Sequence, residues 1–273
     1  MENRKAIVIL STVMAIALAV VSFFGAFDVV TYERDAASMA AQGAGQDLVN
    51  LVFVVPLLVF ALIFMLRNSR IASFIFGGSV FYILYSFCIY AFGLHFNKFF
   101  LLYCLVLGSS LYSFILVILE LTKMDVQNWF GEKVPIRLTG VYLLLISALF
   151  YILWFKDIIP AVLMDTIPKN VSNYNLLVNP VHVLDLSIAL PGLILTAVLL
   201  MKKRRLGYIL APVLLVFVII LTIALAGMVM MTRARGITED TSIAVIFIAL
   251  AVISIVFLYL FLKNITVTKK GRA

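Results

Sequence analysis

Two pairs of polar residues stand at the start of long apolar segments. Asp47 and Asn50 are three residues apart, and so are His182 and Asp185. Side chains at this spacing lie on one face of a helix. Ionisable groups inside a membrane are costly, and they usually face the protein interior with a polar partner. We therefore predict that these four residues form a ligand-binding site for a cation, a proton or a polar headgroup.

A proline follows each polar pair. Pro56 comes six residues after Asn50, and Pro191 comes six residues after Asp185. Because proline has no N–H, a carbonyl of the preceding turn loses its usual donor. In the second segment this carbonyl belongs to Ser187. Each segment would then offer polar side chains and a free backbone acceptor at about the same depth.

The same residues also have a purely structural interpretation. Asp and Asn are preferred N-caps, and an acid in the first turn complements the helix dipole, so Asp47 could be a cap at the water interface. Asp185 lies about five residues into its segment, or roughly 7.5 Å, which is deep for a cap. His182 could share a proton or a hydrogen bond with Asp185. An H-x-x-D pair by itself is too unspecific to predict a metal site.

The elements that carry these residues are predicted to be membrane-spanning helices. Of the 273 residues, 64% are hydrophobic and 12% are charged, whereas soluble domains have roughly 45–50% and about 25%. Eight segments reach or approach the length of about 20 residues that crosses a bilayer. Only helices pair every backbone group within a segment. The predicted fold is an all-α integral membrane protein, one polytopic domain over residues 1–273, with spans at 6–27, 48–66, 71–94, 99–119, 138–155, 180–201, 206–232 and 241–262.

The basic residues indicate the orientation of these spans. With the N-terminus inside, 15 of the 21 Lys and Arg residues fall on the inner side and 6 on the outer side. Basic loops favour the cytoplasmic side, so we expect a multi-pass protein of the cell membrane with both termini cytoplasmic. The inner residues are Arg4, Lys5, Arg67, Arg70, Lys123, Lys133, Arg137, Lys202, Lys203, Arg204, Arg205, Lys263, Lys269, Lys270 and Arg272; the outer ones are Arg34, Lys98, Lys156, Lys169, Arg233 and Arg235.

The two halves of the chain align without a gap when the sequence is shifted by 135 residues. Four helices per unit would give both units the same orientation, related by an axis along the membrane normal. We therefore predict a 4+4 parallel internal repeat with units 1–122 and 136–265. The shift pairs Asp47 with His182, Asn50 with Asp185, Leu51 with Leu186, Pro56 with Pro191, Leu58 with Leu193, and Arg70 with Arg205.

Aromatic residues are concentrated in the third predicted span, which includes Tyr82, Tyr85 and Tyr90. They could line a pocket for a lipid or a flat ligand, although packing is the commoner use of such residues. The two cysteines, Cys88 and Cys104, lie in apolar segments and are expected to act as small hydrophobes.

Several classes of function lack support in the sequence. No Walker A motif, dinucleotide-binding fingerprint, H-E-x-x-H or G-x-S-x-G occurs, so we assign no catalytic residue and no cofactor. The basic residues follow the topology and form no patch for nucleic acid. The lipid bilayer is the expected partner. The predicted function is transport or membrane-embedded binding of a small solute, ion or lipid; the alternative is a non-catalytic sensor, or an assembly or immunity partner of a larger membrane complex.

Overall fold

The computed structural model describes residues 3–237 and 241–265 of the chain. Within these ranges the protein is helical, and its one β-type pairing is a single bridge between Phe130 and Ile265. Eight helices are long and apolar enough to cross a membrane, which confirms the predicted number. They are α1 (Arg4–Phe27), α2 (Ala37–Leu66), α3 (Arg70–Gly93), α4 (Phe100–Lys123), α5 (Ile136–Leu163), α6 (Pro180–Met201), α7 (Arg205–Ala234) and α8 (Ser242–Leu262).

Two of the eight helices, α3 and α7, form the centre of the bundle. In their most apolar stretches 67% and 78% of the residues are buried, compared with 22% to 39% in the other six. The two central helices pack against each other, and both also contact α2 and α6. The outer helices keep much of their apolar surface exposed, as expected for helices that face lipid.

Glycine allows the two central helices to approach closely. A Cβ atom at Gly78 of α3 would lie 2.5 Å from the carbonyl oxygen of Val213 in α7 and would also overlap the side chain of Val216. Small residues at such crossings let backbones approach and gain van der Waals contact. The centre of the fold therefore depends on the absence of a side chain at position 78.

Helices α2 and α6 are each interrupted by one π-helical turn. The turns cover Asn50–Val54 and Asp185–Ala189. At the end of each turn a backbone N–H donates to the carbonyl of the first residue, five positions back. Pro56 and Pro191 follow two residues after the turns. Both helices thus have an altered hydrogen-bond pattern where a proline removes a donor, an arrangement that is frequent at functional sites.

Two helices are longer than the sequence pattern predicted. Helix α2 begins at Ala37, because the small and polar residues before Asp47 continue the helix that we expected to start at residue 48. Asp47 is fully buried within this helix, so it is not a cap at the water interface. Helix α5 continues to Leu163, eight residues beyond the predicted end of its span, with Pro160 inside it.

Polar contacts join the helix ends on both sides. At one end of the bundle Lys98 Nζ lies 3.0 Å from Asp28 Oδ2, and this hydrogen bond holds the pKa of Asp28 below its ordinary value. At the opposite end Arg4 donates to the carbonyl of Leu66 at 2.6 Å. Such exposed contacts add little stability, but they fix which loops lie together.

Replacing Gly78 by Ala tests the central contact. The added methyl group has to displace α7, and overpacking of this kind typically costs about 1–3 kcal/mol. We expect a lower midpoint of thermal unfolding for the detergent-solubilised variant. Gly108→Ala is the matched control, because nothing lies within 4 Å of a Cβ at that position of α4. An unchanged midpoint for Gly78→Ala would show that the two central helices do not pack this closely.

Candidate functional site

The carboxyl group of Asp47 lies in the interior between α1, α2 and α3. Its Oδ2 accepts a short hydrogen bond from the hydroxyl of Tyr32. Gly25 of α1 faces the same carboxyl group so closely that a Cβ atom there would overlap it. The other oxygen, Oδ1, is buried without a well-formed hydrogen bond, although Ser22 and Tyr90 lie near the carboxyl group.

Asn50 belongs to the same buried group of side chains and begins the π-helical turn of α2. Its Oδ1 accepts a hydrogen bond of 3.0 Å from the hydroxyl of Tyr82. The same hydroxyl accepts a longer hydrogen bond of 3.4 Å from Gln46 Nε2. The Nδ2 of Asn50 is buried without a well-formed hydrogen bond among the described residues, although the amide lies near the carboxyl group of Asp47. A chain of polar contacts therefore runs from Gln46 through Tyr82 to Asn50.

Asp185 begins the π-helical turn of α6 and is held by two neutral donors. The hydroxyl of Tyr85 donates to Oδ1 at 2.8 Å, and the indole N–H of Trp154 donates to Oδ2 at 2.7 Å. Tyr85 comes from α3 and Trp154 from α5, so the carboxyl group connects three helices. Both oxygens of Asp185 thus have a donor, in contrast to those of Asp47.

His182 packs against the ring of Trp154 instead of pairing with Asp185. Its ring centroid is 4.6 Å from that of Trp154, and its Nε2 is 3.1 Å from Asn170 Nδ2. Asp185 has its two hydrogen bonds elsewhere, so the shared hydrogen bond that the spacing suggested between His182 and Asp185 is not formed. The indole of Trp154 contacts both His182 and Asp185.

A cavity of about 240 Å³ opens between α2, α3, α7 and the segment that leads into α6. It lies at the end of the bundle where the segment before α6 packs against α2 and α3. Amide and aromatic side chains supply its polar groups, and no Asp, Glu, Lys or Arg is among the described residues that line it. The lining residues are Met39, Gln42, Gly43, Gln46, Ile89, Tyr90, Leu94, Trp154, Asn170, Tyr174, Leu176, Asn179, Pro180, Val181, Leu225 and Met228.

The four residues predicted from the sequence lie directly behind the wall of this cavity. Gln46 in the wall leads through Tyr82 to Asn50, and Trp154 in the wall binds Asp185. Tyr82 and Tyr85 are three residues apart on α3, so one face of this helix serves both polar groups. The described structure therefore brings Asp47 together with Asn50, and Asp185 together with Trp154, while the cavity separates the two groups.

The residues that line the cavity were mostly missed by reasoning from the sequence. Gln42 and Gln46 lie in a stretch that resembled a loop. Asn170 lies in the one-turn helix Lys169–Ser172, and Tyr174 and Asn179 lie in the loop that follows it. The available signal was the placement of Tyr among Phe residues in α3, since a buried tyrosine hydroxyl usually needs a partner.

Metal binding has little structural support in this region. Within residues 3–237 and 241–265, no group of three or more His, Cys, Asp or Glu side chains could hold a metal ion. The available polar groups are mainly phenols, amides and an indole N–H. These groups suit hydrogen bonding to an organic molecule better than ligation of a transition metal.

Comparison with known proteins does not indicate a function for this chain. No protein-family model matches the chain, and neither a curated protein nor a solved structure matches it. A function for the chain therefore has to rest on the cavity and on the two buried carboxyl groups.

Tyr85→Phe tests the contact between α3 and α6. The change removes one hydroxyl group and leaves Asp185 Oδ1 without a donor, which typically costs about 1–3 kcal/mol. We expect a lower midpoint of thermal unfolding. Tyr112→Phe is the matched control, because Tyr112 lies exposed on α4. Equal midpoints for the two variants would mean that Tyr85 does not support Asp185.

Proposed function

We propose that this chain binds a small, uncharged, largely apolar solute within the membrane and that it acts as a transporter or a membrane-embedded receptor for that solute. The cavity carries this proposal. Its wall combines apolar side chains with amide and hydroxyl groups and has no charged side chain among the described residues that line it. A molecule with an aromatic or aliphatic body and one hydrogen-bonding group would match such a lining.

The size of the cavity narrows the class of solute. Its volume of about 240 Å³ is below the roughly 300–1,000 Å³ of pockets that hold drug-sized ligands. A solute of one ring, or of a few carbon atoms with an amide or hydroxyl group, fits better than a whole lipid. Gln42 would offer its Oε1 to such a group, because its Nε2 donates to Ser38 Oγ at 3.2 Å and to the hydroxyl of Tyr174 at 3.1 Å.

We also propose the parallel repeat of residues 1–122 and 136–265 as the framework of this site. One support is the backbone itself, because the π-helical turns Asn50–Val54 and Asp185–Ala189 are offset by the same 135 residues as the sequence alignment. The turns that follow the two helices agree, since Asn68 and Lys203 both have positive φ angles, of 64° and 54°.

Reciprocal contacts between the halves are a further support for the repeat. A Cβ at Gly45 of α2 would lie 2.8 Å from Met228 Cα in α7, and a Cβ at Gly93 of α3 would lie 2.6 Å from Pro180 of α6. The 135-residue shift takes Gly45 to Pro180 and Gly93 to Met228. The central contact between Gly78 and Val213 also joins shifted positions. A two-fold axis along the membrane normal would produce such a pattern.

The repeat would give the cavity a means of alternating access. Repeats of this kind commonly bind a substrate at their interface, near broken helices, and move against each other around the bound molecule. Here the cavity touches α2 and α3 of one unit and α6 and α7 of the other. In this proposal Asp185, His182, Asn50 and Asp47 shape the binding site by holding Trp154, Gln46 and Tyr90, which would contact the solute.

The cavity would open to the outside of the cell. The opposite end of the bundle carries Arg4, Arg67, Arg70 and the run Lys202–Arg205, and basic residues favour the cytoplasmic side. We therefore propose a protein of the cell membrane with both termini in the cytoplasm and the segment 164–179 outside.

Labelling of single cysteines tests this orientation. In a background with Cys88→Ala and Cys104→Ala, we expect Asn173→Cys to react with a membrane-impermeant maleimide in intact cells. Lys203→Cys should react only after permeabilisation. Both residues are exposed at opposite ends of the bundle. Labelling of Lys203→Cys in intact cells, with Asn173→Cys protected, would reverse the orientation and place the cavity mouth inside.

Fluorescence of Trp154 tests the proposed binding. The chain has two tryptophans, so Trp129→Phe leaves Trp154 in the cavity wall as the only one. We expect saturable changes in its emission with benzamide, which is neutral and has a ring and an amide, and no saturation with benzoate or benzylamine. Loss of one hydrogen bond of about 1 kcal/mol in Gln42→Leu should weaken benzamide binding roughly fivefold.

Gln127→Leu provides the matched control for this variant, because Gln127 is an exposed glutamine at the other end of the bundle. Its affinity for benzamide should equal that of the parent. Equal or tighter binding of benzoate or benzylamine would contradict the proposed neutral solute. The absence of saturable binding by all three probes would favour a sensor or assembly partner instead.

A further inference from the structure

Asp47 is a fully buried carboxyl group without a cationic partner in the described part of the chain. Its exposed fraction is 0%. The side chains that interact with it are the phenols of Tyr32 and Tyr90, the hydroxyl of Ser22 and the amide of Asn50. An ionised carboxylate in such surroundings is very costly unless it is paired, and buried carboxyl groups commonly avoid this cost by binding a proton.

Several polar atoms around Asp47 lack a well-formed hydrogen bond. Asp47 Oδ1, Ser22 Oγ and Asn50 Nδ2 are all buried without a well-formed hydrogen bond. A carboxylate oxygen can only accept, whereas a protonated one donates. A proton on Oδ1 would make it a donor towards Ser22 or Tyr90, while Oδ2 continues to accept from Tyr32.

We propose that Asp47 is a proton-binding site, that it is protonated in the structure described, and that it exchanges its proton with the cavity through Tyr90. The proton-binding site is inferred from the surroundings of Asp47 alone. Its link to a solute in the cavity rests on the proposed function. The ligand of this second site is thus a proton, whereas the ligand of the cavity is a neutral organic molecule.

Tyr90 provides the connection to the cavity. It lines the cavity wall and lies near the carboxyl group of Asp47. On release, the O–H bond of Asp47 breaks and its proton moves to the hydroxyl oxygen of Tyr90, which passes its own proton to a water molecule in the cavity. Tyr90 ends neutral, Asp47 becomes a carboxylate, and the water becomes hydronium. The reverse sequence reloads the site.

Apart from its own carboxyl group, the titratable groups that face Asp47 are phenols. Helix α1 contributes Ser22 and Gly25, which do not titrate, and the loop before α2 contributes Tyr32. The ionisable side chains that interact with Asp47 from α3 and α4 are phenols, which ordinarily titrate near pH 10. Among the described residues of α7 that approach α2 here, Gly227 and Met228 are not ionisable. The phenols of α3 and α4 are Tyr82, Tyr90 and Tyr103.

Asp185 is the natural comparison within the same molecule. Both of its oxygens accept hydrogen bonds, from Tyr85 and Trp154, at 2.8 Å and 2.7 Å. Two hydrogen-bond donors stabilise the negative charge of a carboxylate better than one donor does. The two buried acids therefore differ in their surroundings, and we assign the proton to Asp47.

Infrared spectroscopy of the full-length protein in lipid tests the proton site without any solute. We expect a carbonyl-stretch band of a protonated carboxyl group at neutral pH, shifted when ²H₂O replaces H₂O. The band should be lost in Asp47→Asn and retained in Asp185→Asn, which serves as the matched control. In Tyr90→Phe the band should remain, but its shift after transfer to ²H₂O should be slower.

Tyr32→Phe gives an independent readout if Asp47→Asn does not fold. This variant keeps the carboxyl group and removes the hydrogen bond to Oδ2, so the carbonyl band should move to higher frequency. An unmoved band would overturn the assignment to Asp47. Absence of the band in the parent protein, or its loss in Asp185→Asn with retention in Asp47→Asn, would overturn it as well.

A metal cation at Asp47 would give a different pattern. The band would be absent, and NaCl would raise the unfolding temperature of the parent above that in equal KCl, with no difference in Asp47→Asn. That result would refute the proton site. A band that behaves as expected, together with no benzamide binding, would support the proton site and contradict the proposed solute, so the two proposals can fail separately.

Discussion

Polar groups inside a bilayer have to find their partners within the protein, because lipid offers none. Each of the two helices that carry the predicted polar residues contains a proline, and each contains a π-helical turn shortly before it. The side chains that begin these turns, Asn50 and Asp185, then require donors from elsewhere. Helix α3 supplies a tyrosine to each, which ties both interrupted helices to the centre of the bundle.

This dependence explains why α3 and α7 must pack closely. Tyr82 and Tyr85 can reach the two interrupted helices because α3 contacts both of them, and α3 is held there by its contact with α7 at Gly78. A helix displaced by one side-chain thickness would leave buried polar atoms unpaired, at a cost of about 1–3 kcal/mol for each. Packing at one glycine and hydrogen bonding at two polar turns are therefore parts of the same arrangement.

The two polar groups are similar in backbone but different in chemistry. Asp185 has donors on both oxygens, whereas Asp47 has a donor on one and lies closer to a set of hydroxyl groups. If the halves form a repeat, their shared backbone structure would form the cavity between them. Their different side chains would then have separate functions. In the proposals made for this protein, one side supports the indole that contacts a solute and the other holds a proton.

The sequence by itself determined the eight spans, the four polar residues and the two prolines, because length, apolarity and the absence of a backbone donor are local properties. It placed Asp185 inside a helix correctly, but it started α2 too late, since small and polar residues such as Gly43 and Gln46 resemble a loop until neighbouring helices bury them. Only the tertiary structure decided that Trp154 rather than His182 binds Asp185, and that a cavity separates the two polar groups. Partners far apart in sequence are chosen by how helices pack, and side-chain spacing along one helix carries no information about that choice.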